Sequence, residues 1–176
     1  MTSRPSESEY GVYYSRYVSL VPETDVLSIL GTQIEEIGKL VASVTIERES
    51  YRYAPDKWCI REVFGHLIDG ERIFGYRAFC FSRGEAAPLP SFDQNTYISN
   101  SRYNERSLSD LLTEFITIRK SNLVFLNQLT DEDWKRTGTV GENLVSVRAL
   151  AFIMAGHVRH HFNVLRMSYD VFPGAR

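Results

Sequence analysis

The chain has 176 residues, of which 43% are hydrophobic and 24% charged, with 20 basic and 22 acidic side chains and a formal net charge of −2. That length and balance suit one domain with a core that needs no covalent staple, and the absence of a basic block speaks against a nucleic-acid partner. The N-terminal run MTSRPSESEYGVYYSRYV lacks an apolar signal core, and no stretch reaches the ~20 apolar residues of a membrane helix, so a cytoplasmic protein with no membrane partner is expected.

Residues 1–9 are polar and expected to be loose. Tyr10 to Val21 is tyrosine-rich and ends at Pro22, which fits either an extended strip across the surface or a short helix. A first long helix is predicted over 23–44, with Val26, Ile29, Leu30, Ile34, Ile37, Leu40 and Val41 on one face. Asp56 is the expected N-cap of a second helix, from Lys57 to Ser82, with Trp58 packing its entry. Gly65, Gly70 and Gly75 interrupt that helix at roughly 1 kcal/mol each against alanine, a cost that close helix packing or access to a site would explain.

Residues 83–106 read as a long crossover loop rich in proline, glycine and asparagine. Phe92, Asp93, Gln94 and Tyr97 on it are placed to cap a pocket, and Arg77 and Arg119 are candidates to pair with its carboxylates. A third helix follows over 107–129, then a turn or short helix at 130–134. Residues 137–144 carry two glycines and little periodicity, and strand signals are weak throughout. Ser146 is the expected N-cap of a fourth helix reaching Tyr169. The pattern is all-α, a four-helix bundle with a long crossover connection between its second and third helices. Cys59 and Cys80 fall on one predicted helix, ~30 Å apart at ~1.5 Å per residue, which excludes a bridge between them and fits a reducing compartment.

The chemistry concentrates in four histidines, His66, His157, His160 and His161. His157 and His161 are i and i+4, so their side chains share one helix face. They continue the apolar stripe of Leu150, Met154 and Leu165, while His66 is in phase with the core side of its own helix. Three buried neutral imidazoles would leave polar nitrogens without partners, and one metal ion satisfies all three. His160 lies about 100° round the helix and faces a different environment, such as the pocket rim. Asp69 and Glu71 follow His66 closely enough to orient a ligand, although a solvated helix carboxylate is the plainer reading of each. Cys59, two turns before His66, reads as core and not as a fourth ligand.

Two stretches resemble a known family. KWCIREVFGHLIDGER (57–72) is similar to the second helix of the DinB/YfiT-like metalloenzyme family, which opens with tryptophan and carries a metal-binding histidine eight residues on. AGHVRHH (155–161) is similar to the last-helix motif, and the loop PLPSFD (88–93) and RKSN (119–122) match the general layout. The resemblance implies a three-histidine site of His66, His157 and His161 for one divalent ion, zinc or nickel, and a homodimer. Related branches are thiol-dependent S-transferases and isomerases, so a low-molecular-weight thiol is a further implied cofactor. Three readings follow: a metal-dependent transferase or hydrolase of a small molecule, a non-catalytic metal-binding or stress-response bundle, and a helical interaction domain with buried histidines.

Overall fold

The computed structural model describes residues 3–171. After 3-10 turns at Glu7–Glu9 and Val12–Tyr14 come the helical turn α1 (Ser15–Val18), α2 (Val26–Ala42), α3 (Ile60–Ser82), α4 (Gln94–Ser99), α5 (Leu108–Leu126) and α6 (Asp131–Lys135). The hairpin β1 (Thr137–Val140) and β2 (Asn143–Ser146) follows, and α7 (Val147–Tyr169) closes the described chain.

Side-chain caps set the helix starts. Ser107 and Ser146 accept from the amides of Asp110 and Ala149 and open α5 and α7. Asp25 accepts from Ser28 and opens α2, two residues beyond Glu23, whose carboxylate is held instead by Arg159 at 2.7 Å. The second long helix also starts later than expected. Its N-cap is Cys59 and not Asp56, because the Glu62 carboxylate accepts from the Cys59 amide at 2.7 Å and closes a capping box. Asp56 pairs with Lys57 on an exposed turn. Cys59 and Cys80 are both free and buried.

The four long helices form the expected bundle. Extensive faces join α3 to α7 and α5, and α2 to α5 and α7, so α2 and α3, neighbours in sequence among the long helices, occupy a diagonal. Arg72 reaches Glu114 while Gly75 faces Asn122, so α3 and α5 run parallel. Residues 83–107 must therefore return along the bundle, ~35 Å for the 23 residues of α3. This explains the long connection. It contains α4, and Leu89 bonds both ways to the hairpin, donating to Thr139 at 2.8 Å and accepting from Gly141 at 3.0 Å.

The hairpin corrects the irregular reading of 137–144. Thr137 pairs with Ser146 and Val140 with Asn143, around a two-residue turn in which Gly141 has φ 57°. Four-residue strands are too short to show a period of two, so the turn and its pairing carry the signal.

The tyrosine-rich segment forms short helical turns that bury Tyr17 and Val18 against α7. The approach is close enough that a Cβ on Gly156 would lie 2.0 Å from the Tyr17 carbonyl oxygen, so only glycine fits there. The stretch expected to be loose is tied down at Glu9, which accepts from Arg148 at 2.6 Å and Ser146 at 2.8 Å; residues 1 and 2 lie outside the described residues. No described helix is long and apolar enough to cross a membrane.

Candidate metal centre

The three histidines meet across the α3–α7 face. The His66 and His157 Nε2 atoms are 2.9 Å apart, and one ligand nitrogen from each of His66, His157 and His161 lies within 4.8 Å of the others. All three residues are buried, at 2%, 3% and 8% exposure. Gly70 makes this possible. A Cβ there would come within 2.8 Å of the His157 ring, so the glycine cost predicted for α3 creates room for an imidazole. Aromatic rings hold the histidines in place: Trp58 lies 4.9 Å from His66 between centroids, and Tyr17 and Phe74 meet His157 edge-on at 5.3 and 5.6 Å.

Burial fixes the charge state. It lowers the His66 pKa to about 4, with His160 adding to the effect. Burial likewise drives His157 and His161 well below the usual histidine range, reinforced by the neighbouring imidazoles. At neutral pH each ring is therefore uncharged and offers the lone pair of one of its two nitrogens. His66 Nδ1 and His161 Nδ1 are buried without a hydrogen-bond partner. Ligands of a tetrahedral ion at 2.0–2.1 Å stand roughly 3.4 Å from one another, a value between the 2.9 Å and 4.8 Å that bracket the spacing here. The donor set fits one divalent cation.

The sequence matches the DinB superfamily model over residues 30–165. The chain belongs to the DinB superfamily. Two solved structures share its fold. YfiT from Bacillus subtilis, described as a probable metal-dependent hydrolase with an unusual four-helix bundle topology, aligns with TM-score 0.70 at 17% identity, over 97% of this chain and 95% of its own. A mycothiol-dependent maleylpyruvate isomerase aligns with TM-score 0.66 at 11% identity, over 82% of this chain and 61% of its own. At these identities the likeness is one of fold. Curated proteins give no sequence match.

In this DinB-superfamily chain the other expected residues take varied places. Asp69 is half-buried and accepts from the Tyr103 hydroxyl at 2.7 Å, with no hydrogen bond to a histidine. Glu71 is no solvated carboxylate: it is 2% exposed and makes a two-point ion pair with Arg119 at 2.8 and 2.6 Å. Arg119 thus pairs on α3 and not with the crossover loop. Its Nη1 also donates to the Leu30 carbonyl and to Gln33, whose amide donates to the Ala155 carbonyl on α7. Arg77 does reach the loop, but to the Pro90 carbonyl and not to a carboxylate. His160 is half-buried against Tyr17 and stands outside the three-nitrogen cluster. A cleft of about 380 Å³ opens on His66 and His157, and Phe92, Asp93 and Gln94 line it. Tyr97 stands behind them against Phe92, at 5.3 Å. The roles of Trp58, Tyr17 and Gln33 at the site went unread, because contact across helices depends on helix rotation.

The depressed imidazoles make stability pH-dependent. Their folded pKa lies below the unfolded value of about 6.5, so the unfolded chain takes up protons first as pH falls. The metal-free protein is expected to lose stability from pH 7 towards 5, each buried histidine contributing up to about 1.4 kcal/mol per pH unit below 6.5. Urea denaturation across that range checks this; a flat profile contradicts it.

Proposed function

We propose that this protein is a metal-dependent enzyme acting on a small molecule, with His66, His157 and His161 holding one divalent ion. The observation that carries the proposal is the meeting of three buried, uncharged imidazoles, two of which, His66 and His157, line a cleft of about 380 Å³. Imidazole donors suit zinc and nickel. A divalent ion with three protein nitrogens retains an open position, where a bound water or thiol loses its proton more readily.

The chain's own residues supply the rest. Phe74, Tyr17 and Trp58 pack against the imidazoles. The cleft admits a small molecule from the side of His66 and His157. A second cleft, lined by Trp58 and Lys57, reaches His161 from the other side. Hydrolysis through bound water is the first reaction class, in keeping with the description of YfiT. Transfer to a low-molecular-weight thiol is the second, in keeping with the mycothiol-dependent relative. The cleft supports an enzyme over a closed metal-binding or stress-response bundle.

The test loads the protein with zinc or nickel and assays hydrolysis of an activated ester, and conjugation of cysteine to 1-chloro-2,4-dinitrobenzene. The expected result is turnover in at least one assay that vanishes with chelator and returns with metal. A metal-loaded protein inert in both contradicts the reading and favours the non-catalytic bundle.

A further inference from the structure

Two arginines among the described residues are buried, and their charges are met differently. Arg119, with no exposed surface, has its charge balanced by Glu71. Arg77 is 3% exposed and lines the same cleft as His66 and His157. Its Nη2 donates to the Pro90 carbonyl at 2.7 Å, its Nη1 lies 3.5 Å from the Tyr14 hydroxyl, and its guanidinium carbon is 5.8 Å from the centre of the Phe92 ring. Each of these partners is neutral. Asp93 is the carboxylate among the described residues that line the cleft; it accepts from the Thr96 amide at 2.6 Å at the start of α4 and makes no ion pair with Arg77.

A buried cation without a counter-ion is unfavourable unless something supplies the missing charge. The two hydrogen bonds above use two of the five N–H donors of a guanidinium. The planar fork that remains matches a carboxylate or phosphate group. Along α3, Arg77 is eleven residues from His66, ~16 Å in backbone rise, so the cation and His66 are set apart along the cleft that both line. Between them the walls include Tyr14, Tyr17 and Phe74. We propose that Arg77 recognises an anionic group on the substrate, which is a small molecule with an apolar body and one negatively charged end. This rests on the reading of the cleft as the place where substrate binds. Arg77 is then a specificity-determining residue, distinct from the histidines.

The test uses benzoate and its neutral counterpart benzamide, titrated calorimetrically at pH 7 into the metal-loaded full chain, its Arg77→Gln variant and its Arg77→Lys variant. The wild-type protein is expected to bind benzoate at least ten-fold more tightly than benzamide. Arg77→Gln is expected to bind both alike, and Arg77→Lys to keep part of the preference. The proposal is overturned if wild type shows no preference for benzoate, a comparison that needs no variant to fold. It is equally overturned if Arg77→Gln keeps the full preference, which would assign benzoate to the metal. Elemental analysis of the same samples separates the two readings: a benzoate preference that depends on Arg77 in a protein unable to hold metal would leave this inference standing and sink the metal assignment.

Discussion

Replacing His157 by alanine is expected to reduce bound zinc from one equivalent per chain to under about a tenth after gel filtration. His157 touches both other members of the cluster. Its Nε2 is 2.9 Å from that of His66, and its ring centre is 4.6 Å from that of His161. Loss of a partner that merely orients a ligand weakens metal affinity 10- to 100-fold, so loss of a ligand should cost more than about 100-fold. The control is His160→Ala, one residue along the same helix. His160 meets Tyr17 and the edge of His161 but stands outside the cluster, so that variant is expected to keep its full equivalent. Elemental analysis of both variants, with circular dichroism to establish that each is folded, decides the matter. Equal metal loss in the two, or full retention in His157→Ala, contradicts the assignment.

The second large effect concerns Glu71. Glu71→Ala is expected to destabilise the fold by about 3–5 kcal/mol, because Arg119 would be left charged, fully buried and without its counter-ion. The pair does not act alone. Arg119 also donates to Leu30 and Gln33, and Asn122 donates to the Glu71 carbonyl, so this network fastens α2, α3 and α5 behind the histidines. The Arg119 charge is close enough to His157 to disfavour its protonation. With Glu71 gone, the same charge would also disfavour a metal cation. Urea denaturation should therefore show lower stability and a metal titration weaker binding. Adding Arg119→Leu to Glu71→Ala removes the stranded charge and should recover much of the stability, giving a strongly non-additive cycle. A loss below about 1 kcal/mol in the single variant would contradict this account of the network.

Much of this architecture was legible in the sequence, for reasons specific to each feature. The four long helices are amphipathic over many turns, and Ser146 announces the start of the last. His157 and His161 share a face by helical geometry alone, and His66 lies on the core side of α3. The partners of Asp69 and Glu71 are not legible in the sequence. Neither sequence spacing nor helix phase reveals that Tyr103, 34 residues on, donates its hydroxyl to Asp69, or that Arg119, 48 residues on, pairs with Glu71. Those pairings follow from the parallel run of α3 and α5 and from the segment that joins them. The Cys59 start of α3 was hidden for a different reason: cysteine is an unusual cap, and Glu62 is what makes it work. The hairpin at β1 and β2 was obscured by its shortness, and it matters to the site because its pairing with Leu89 holds the loop that carries Phe92 and Asp93 over the cleft.

The most direct test of the central claim is anomalous diffraction from crystals of the zinc-loaded protein, with data on both sides of the zinc absorption edge. A single peak is expected between α3 and α7, about 2.0–2.1 Å from one nitrogen each of His66, His157 and His161, with a further position open toward the cleft. No peak there, or a peak ligated by other residues while the three imidazoles stay in mutual contact, would contradict it.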